Sequence, residues 1–311
     1  FVYYVRDVKD MLMNVTYPSL LGVDAPKSNA ADLRTRGWEL AATWRDHFDE
    51  NLSYSVTLAL SDNKAEITKY ENPTGAISEY YVGQQIGEIW GYVTEGIFQA
   101  DDEVPQHADQ SALGANWRAG DIKYKDINGD GVISGEDRVW LGNIYPKWTY
   151  SLAIDLSYKN WTFSTRAAGK GDMFRTIGGG RIPFNSGANG GAIYRRAVED
   201  HWTPASYSGT TATENPNAEY PRLGTFNSNN NQQSTFWLRE ASYLRLANIE
   251  LGYTYIPKNT DSGIKSIYFY GRGDNLLTFS KFKDWDPELT DSNAYPLKQT
   301  ITLGIELGFK L

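Results

Sequence analysis

The stretch Trp148-Thr-Tyr-Ser-Leu-Ala-Ile-Asp-Leu-Ser157 shows a pattern that most of the chain repeats, because large apolar residues occupy every second position. A period of two is typical of a β-strand whose two faces meet different surroundings. After the three-residue turn Tyr158-Lys-Asn160, the alternation resumes in Trp161-Thr-Phe-Ser-Thr-Arg-Ala-Ala168. The two runs therefore predict a hairpin with one apolar face and one polar face, and the polar face carries Asp155 and Arg166.

A hairpin with one apolar face fits two kinds of protein. A β-sandwich buries that face in its core, whereas an outer-membrane β-barrel turns it to lipid. Large aromatic residues stand near the predicted strand ends, at Trp148, Tyr150, Tyr158, Trp161, Trp38 and Trp44. Trp and Tyr gather at the membrane interface because their rings are apolar while their polar tips stay wet. The placing of these aromatic residues favours the barrel.

The alternation predicts eight strands, at 1–15, 38–45, 52–60, 148–157, 161–168, 236–255, 264–278 and 300–311. Their connections alternate between long and short, and the two longest excursions cover about 62–147 and 170–235. Barrels of the outer membrane have short periplasmic turns and long external loops, whereas a sandwich has no reason to sort its loops in this way. We therefore expect an all-β protein, an antiparallel transmembrane β-barrel with long structured extracellular loops. The turns at Asp46, Lys159 and Asn259 would then lie in the periplasm.

Local signals refine this prediction. Charged residues interrupt the first strand between Arg6 and Asp10, which predicts either a bulge or a solvent-exposed stretch there. The apolar phase changes near Ala247, and this change predicts a bulge. The composition of 17–34 predicts a loop, and a short helix is expected over 192–201. Excursion 62–147 is too long for a structureless loop, so we expect it to have a compact fold of its own.

Composition excludes several classes of function. The net charge of -8 argues against a nucleic-acid partner, because phosphate binding requires clustered Lys and Arg. The three histidines, His47, His107 and His201, have no Ser or Cys partner at a recognisable spacing. An enzyme is therefore not expected.

The segment Asp126-Ile-Asn-Gly-Asp-Gly-Val-Ile-Ser-Gly-Glu-Asp137 follows the pattern of a calcium-binding loop. The predicted ligands are Asp126, Asn128, Asp130, the carbonyl of Val132, and Asp137. Gly131 provides the sharp turn, and Ile133 would anchor the loop. Asp137 stands where Glu is usual, so Mg²⁺ is an alternative to Ca²⁺. A simple β-turn with exposed acidic residues is the competing interpretation.

Several motifs carry a family resemblance. They are Gly120-Asp-Ile-Lys-Tyr-Lys-Asp-Ile-Asn-Gly-Asp-Gly131, Leu141-Gly-Asn143, Trp202-Thr-Pro204, Asn215-Pro-Asn-Ala-Glu-Tyr-Pro-Arg-Leu223, Ala241-Ser-Tyr-Leu-Arg-Leu246 and Asp286-Pro-Glu288. In this order they resemble the C-terminal part of SusC/RagA-type TonB-dependent outer-membrane transporters. The resemblance implies that residues 1–311 supply about eight C-terminal strands of a 22-stranded barrel, without its N-terminal plug and remaining strands. It also implies a SusD-like lipoprotein on the external loops and energy supplied by TonB.

The resemblance implies import of a nutrient across the outer membrane, an oligosaccharide in the first place and a peptide in the second. Aromatic residues of the long loops are candidates for stacking on sugar rings, namely Trp90, Trp117, Trp140, Trp202 and Trp285. For each of them the competing interpretation is packing within a folded loop or against the partner lipoprotein. Two alternatives stay open. One is a secreted, calcium-dependent carbohydrate-binding or adhesive β-sandwich protein. The other is a self-sufficient eight-stranded barrel, which would be filled by side chains and leave no channel.

Overall fold

A computed structural model describes residues 1–14, 27–72, 77, 79–177, 195–204, 215–224, 228–258, 263–290 and 294–309. The chain divides into two compact units. The first unit comprises 1–87, 145–173 and 240–311, and the second comprises 88–144 and 174–239. The predicted turn at Asn259, the Gly-rich run from Gly178 and the terminal residue Leu311 lie outside the described residues.

The strands are β1 (Val2–Asn14), β2 (Lys27–His47), β3 (Leu52–Lys69), β4 (Glu88–Tyr92), β5 (Thr94–Ile97), β6 (Ile122–Tyr124), β7 (Arg138–Asn143), β8 (Trp148–Tyr158), β9 (Trp161–Gly171), β10 (Phe174–Thr176), β11 (Leu238–Glu240), β12 (Tyr243–Tyr255), β13 (Ile264–Ser280) and β14 (Thr300–Phe309). One short α-helix, α1, covers Arg195–Glu199. No helix among the described residues is long and apolar enough to cross a membrane.

The first unit contains an eight-stranded antiparallel sheet in the order β1-β2-β3-β8-β9-β12-β13-β14. The predicted strand number is therefore confirmed, as is the bulge near Ala247, because the register shifts between Leu246 and Asn248. Of the two explanations for the charged residues of β1, the bulge is the correct one, since the register shifts between Val8 and Met11. Asp10 lies within the first shift, with φ of 56°. Tyr158 pairs with Trp161, so the hairpin turn contains two residues rather than three.

Three of the predicted strands have wrong boundaries. The predicted loop at 17–34 is a strand from Lys27 onward, and β3 continues to Lys69 although the prediction ended it at Leu60. Both extensions are polar, and they are stabilised by the ladder between neighbouring strands, such as the pairing of Arg34 with Glu66. The strand propensity of a segment does not reveal the stabilisation that it gains from pairing with a neighbouring strand, because the paired residues are far apart in the sequence. The predicted strand 236–255 is likewise divided into β11 and β12.

The apolar face of the sheet is open to its surroundings. In β14, Ile301 and Leu303 keep 80% and 84% of their surface exposed, and Leu251, Leu277 and Leu58 are also exposed. No second sheet covers these side chains anywhere in the described part of the chain. The alternative of a β-sandwich is therefore wrong, because a sandwich would bury this face.

The sheet also has two free edges. Within the ranges that the structure describes, β1 pairs only with β2, and β14 pairs only with β13. A closed barrel has no edge strand, so the alternative of a self-sufficient eight-stranded barrel is not supported. The arrangement is that of part of a larger barrel wall.

Aromatic residues form two bands on the apolar face. At one end Trp44 donates a hydrogen bond to the Tyr54 hydroxyl over 3.3 Å, and the rings of Trp161 and Tyr253 lie 4.8 Å apart. At the other end, the rings of Trp38 and Trp148 lie 6.1 Å apart. The ten residue steps from Trp148 to Tyr158 correspond to about 34 Å of strand, or roughly 26 Å of height at a tilt of about 40°. This height matches the apolar band of an outer-membrane barrel, about 25 Å.

The second unit contains both long excursions. It has three two-stranded ribbons, β4-β7, β5-β6 and β10-β11. Its core includes the fully buried side chains of Phe98, Ile122, Tyr124, Ile133 and Trp237. The sequence predicted a compact fold for 62–147 alone, whereas the structure joins most of it to 174–239 in one unit.

We predict that the two faces of β8 respond differently to a charge. Leu152→Arg places a cation on the apolar face near mid-strand, and it should lower the free energy of unfolding by about 2–4 kcal/mol. Ser151→Arg, on the polar face of the same strand, should change the free energy of unfolding by less than about 1 kcal/mol. Denaturant titration of the protein in lipid vesicles, followed by tryptophan fluorescence, measures both values. Equal losses would contradict the assignment of the apolar face to lipid.

Candidate functional site

The polar face of the sheet carries a row of charged side chains across its middle strands. Arg166 of β9 lies 3.3 Å from the Asp155 carboxylate of β8. On the neighbouring strands, the Asn248 amide donates a hydrogen bond to Asp274 over 2.9 Å. Arg272 binds the same carboxylate through Nε at 3.0 Å and through its terminal amino group at 2.9 Å. The predicted hairpin face with Asp155 and Arg166 is confirmed.

Arg272 and Asp274 are the outer members of an Arg-Gly-Asp tripeptide. The tripeptide lies within β13, and its two charged side chains neutralise each other. A tripeptide in this position is part of the wall of the sheet and not an exposed loop tip.

Two tyrosines beside this row are accommodated by glycines. A Cβ atom at Gly252 would collide with the ring of Tyr268, and one at Gly304 would collide with the ring of Tyr270. The Tyr268 hydroxyl lies 3.0 Å from Thr162 Oγ1 and donates a hydrogen bond to Glu250 over 3.1 Å. A depression of about 350 Å³ results, lined by Glu250, Tyr268, Tyr270, Arg272, Asp274, Thr302 and Glu306. This surface has the fixed polar groups and charges that a water-filled passage requires.

The histidines lie apart from this row. His47 is exposed beside Asp46, His107 lies 3.6 Å from Glu95, and the ring of His201 contacts the carbonyl of Val198.

A buried polar network organises the second unit. Asp121 is fully buried and lies 2.8 Å from Nε of Arg222. Asn230 donates to the same carboxylate over 2.8 Å and accepts from the backbone N–H of Ile122. Gln110 donates to Asn229 over 2.9 Å. These contacts join residues from the two excursions, which explains why the excursions share one unit.

Burial also raises the pKa of the Tyr124 phenol, whose hydroxyl donates a hydrogen bond to the carbonyl of Asn229. Tyr124 therefore remains a neutral donor at physiological pH. The network is structural, because its donors and acceptors are directed at one another and not at an open surface.

The loop 126–137 has the turn that its sequence predicts. Gly129 and Gly131 adopt φ values of 77° and 84°, which favour glycine. Ile133 is fully buried, so the expected anchor is present. The backbone of the loop pairs with Asp109, which donates to the carbonyl of Gly131 and accepts from the N–H of Ile133.

The acidic side chains of this loop cap its own backbone. Asp126 accepts hydrogen bonds from the N–H groups of Gly129 and Gly131 at 2.7 and 2.8 Å. Asp130 accepts from Val132 at 2.8 Å, and the buried Asp137 accepts from Ile127 and Ser134 at 2.8 and 2.7 Å. In the described residues, no group of three or more His, Cys, Asp or Glu side chains lies close enough to hold a metal ion. Metal binding by Asp126, Asn128, Asp130, Val132 and Asp137 stays a prediction.

The loop aromatic residues differ in exposure. Trp202 is buried and donates a hydrogen bond to Gln99, and the Trp117 ring lies 5.5 Å from that of Phe98. Trp285 packs against Phe282, with 4.8 Å between the rings. Trp140 in β7 is 52% exposed, and it pairs with Trp90 of β4 on one face of their ribbon. Of the five candidate tryptophans, only Trp140 and Trp90 form a pair in which an exposed ring has another indole beside it.

We predict that loop 126–137 opens in acid. The backbone N–H groups of Gly131 and Gly129 lower the pKa of Asp126 below its ordinary value of 3.8. The stabilisation from this carboxylate is therefore complete above pH 3.8 and is lost as the pH falls through the lowered pKa. Hydrogen exchange of the Gly129 and Gly131 amides, corrected for intrinsic exchange rates, should show protection at pH 5 to 7 and its loss in stronger acid. Asp126→Asn should reduce protection across the whole range, and unchanged protection would contradict this role.

Comparison with known proteins gives a consistent result. No protein-family model matches the chain. The chain is 28% identical to the TonB-dependent receptor P26 of Formosa agariphila, over 99% of the chain and 32% of that receptor. It is 24% identical to the TonB-dependent receptor SusC of Bacteroides thetaiotaomicron, over 98% of the chain and 29% of SusC. The chain thus spans about a third of the length of these relatives.

Solved structures share the fold of the chain. A solved structure of the RagAB peptide transporter matches with a TM-score of 0.69 and 22% identity, over 98% of this chain and 32% of the matched chain. RagAB in its closed-closed state matches with a TM-score of 0.70 and 21% identity. The resemblance of this chain to SusC/RagA-type TonB-dependent receptors is therefore confirmed, and so is its place in a β-barrel of the outer membrane.

Proposed function

We propose that this chain forms part of the wall of an outer-membrane importer for nutrients. The observation that carries the proposal is that the two faces of the sheet differ. One face is apolar and exposed. The other carries charged side chains and a depression in which tyrosine rings lie over glycines. Such a sheet separates lipid from a water-filled passage. The similar proteins named as TonB-dependent receptors support coupling to TonB, which would act through the part of the protein outside this chain.

Further parts of the proposal concern topology and partners. The short turns at Asp46 and Lys159 lie in the periplasm, and the second unit lies outside the cell. There it meets a SusD-like lipoprotein. The long and short connections, which alternate as they do in outer-membrane barrels, support this orientation.

The proposed substrate is an oligosaccharide. The exposed Trp140 and its neighbour Trp90 offer an aromatic surface on which a sugar ring can stack. A peptide is the second candidate, and the fold shared with the RagAB peptide transporter supports it.

Uptake by cells tests this proposal. Fluorescent oligosaccharides and fluorescent peptides of similar size are offered to cells that carry the intact protein and to cells from which its gene is deleted. We expect deletion to abolish oligosaccharide uptake while peptide uptake continues. Loss of peptide uptake alone would establish the second candidate, and no loss of either would overturn the importer function.

A substitution at Trp140 tests the sugar contact. Trp140→Ala removes the exposed ring and should weaken oligosaccharide binding about 2- to 13-fold, as expected for a loss of about 0.5–1.5 kcal/mol of aromatic contact. Val139→Ala is the matched control, because Val139 precedes Trp140 in β7 and points to the opposite face. Binding measured by calorimetry should be unchanged in the control. Equal affinity in both variants would refute the contact.

We also propose that loop 126–137 binds Ca²⁺, or Mg²⁺ in its place. The spacing of Asp126, Asn128, Asp130, the Val132 carbonyl and Asp137 supports this, together with the two glycine turns and the buried Ile133. The bound ion would stiffen the loop.

Calorimetric titration of the intact protein with Ca²⁺ and with Mg²⁺ measures this binding. We expect one ion to bind per chain and to raise the unfolding temperature. Asp130→Ala should abolish the heat, whereas Glu136→Ala should retain it, because Glu136 is not a predicted ligand. The absence of both heat and stabilisation with either ion would refute the metal site.

A further inference from the structure

Two of the motifs that carry the family resemblance meet in the folded protein. Arg245 belongs to the motif 241–246, and Asp286 and Glu288 belong to the motif 286–288. Arg245 is 5% exposed, and its Nη2 donates a hydrogen bond to the Asp286 carboxylate over 2.6 Å. Its Nε lies 3.5 Å from the Glu288 carboxylate. One buried cation therefore joins β12 to the segment that follows β13.

Residues 281–290, which we call the strap, contain a tight turn that directs these carboxylates. The N–H of Leu289 donates to the carbonyl of Asp286 over 3.0 Å, and the N–H of Glu288 donates to the Asp286 carboxylate, also over 3.0 Å. Asp is favoured at the first position of a β-turn and Pro at the second, where Pro287 stands. The residues of the turn therefore fix the direction of the Asp286 side chain.

The strap lies on the polar face of β12. Leu244 is exposed on the apolar face, so its neighbours Tyr243 and Arg245 point to the opposite side. Both are 5% exposed, whereas Arg272, on the polar face of β13, keeps 47% of its side chain exposed. A side chain on this open face is buried only where other residues cover it. The strap, which contacts Arg245, provides such a cover at this end of the strand.

Side-chain contacts attach the strap to the sheet, because none of the residues 281–290 belongs to a strand. Near its beginning, the Ser280 hydroxyl donates to the carbonyl of Ser242 over 2.7 Å and accepts from the N–H of Phe282 over 3.1 Å. Phe282 is 3% exposed and packs against Trp285. These contacts hold the part of the strap next to β13. The contacts of the Arg245 guanidinium hold the part that contains the turn.

Burial makes Arg245 the contact on which the position of the strap depends. A buried guanidinium without acceptors is costly, so Arg245 favours the state in which Asp286 and Glu288 lie beside it. A second ion pair of the strap joins Lys281 to Glu240 over 3.5 Å, but 88% of the Lys281 side chain is exposed. An exposed pair of this kind contributes little. The two ion pairs therefore provide a test and its control within one segment.

We propose that the strap is a movable cover at the external end of the passage, and that Arg245 is the clasp that holds it on the wall. While Arg245 binds Asp286 and Glu288, the strap narrows the passage beside β12. Release of the two carboxylates frees the turn and widens the passage. This inference rests on the proposed function, because the passage and its external end belong to that proposal. The clasp itself is tested without transport.

Hydrogen exchange of the intact protein, followed by mass spectrometry of peptides that cover 281–290, tests the clasp. Asp286→Asn removes the charge from the strap, keeps an oxygen that can accept from the N–H of Glu288, and leaves β12 unaltered. We expect the strap amides, corrected for intrinsic rates, to exchange at least fivefold faster than in the unaltered protein. Lys281→Gln is the matched control, because it removes the exposed ion pair of the same segment, and exchange should be unchanged. Equal exchange in the two variants would overturn the clasp.

A double-mutant cycle tests the same contact from the strand side. Arg245→Met removes the cation, and it should accelerate exchange of the strap as Asp286→Asn does. When two residues act through one contact, the combined variant exchanges no faster than Arg245→Met alone. A full further acceleration in the combined variant would show that Asp286 acts independently of Arg245, and it would overturn the assignment.

Cysteine labelling tests whether the strap covers the polar face. Ala168 of β9 is exposed and pairs with Arg245, so both residues lie on that face. Ala168→Cys is introduced into the intact protein, without other cysteines, and is labelled with a small maleimide or a bulky maleimide polymer. We expect Asp286→Asn to accelerate labelling by the polymer at least threefold and to leave labelling by the small reagent unchanged.

Equal polymer labelling with and without Asp286→Asn would overturn the covering role of the strap. Lys281→Gln is again the control, and it should leave both labelling rates unchanged. Exchange and labelling are independent of uptake, so a failure of the importer function is distinguishable from a failure of the strap.

Discussion

Backbone hydrogen bonding is the constraint on which the rest of this structure depends. In hydrocarbon no water is available, so every N–H and C=O group must find a partner within the protein. The eight-stranded sheet meets this requirement through antiparallel ladders that join every neighbouring pair of strands from β1 to β14, interrupted locally at the bulges. Within the residues that the structure describes, each of the two outer strands pairs on one side only, which is the arrangement of a segment of barrel wall and not of a closed barrel.

The ladder in turn determines what the two faces can carry. Successive side chains point to opposite sides, so each strand offers one row to lipid and one row to water. The lipid row is apolar, while the water row holds Asp155, Arg166, Asp274 and Arg272 in pairs that neutralise one another. Tyr268 and Tyr270 lie flat over glycines, and this leaves a depression instead of a ridge on the water side. The charged lining proposed for the passage therefore follows from the alternation of apolar and polar side chains along each strand.

The second unit shows a different organisation. Its two halves come from excursions separated by β8 and β9 in the chain. They are held together by a buried polar network around Asp121, Asn229 and Asn230, where each amide has a partner from the other half. A buried network of this kind gives specificity to a fold, because any other pairing of the two halves would leave these groups unsatisfied. In loop 126–137 the acidic residues likewise cap their own backbone, which gives a defined loop shape.

The sequence by itself determined the strand number, the two faces, the bulge near Ala247 and the hairpin from Trp148, because a period of two is a local property that each strand carries in its own residues. The motifs also determined the family resemblance. Only the tertiary structure decided the length of β2 and β3, the union of the two excursions, the exposure of Trp140 and the burial of Trp202. Each of these depends on contacts between residues far apart in the chain. Such contacts have no periodicity along the sequence, so the residues that make them can be recognised only after the chain has folded.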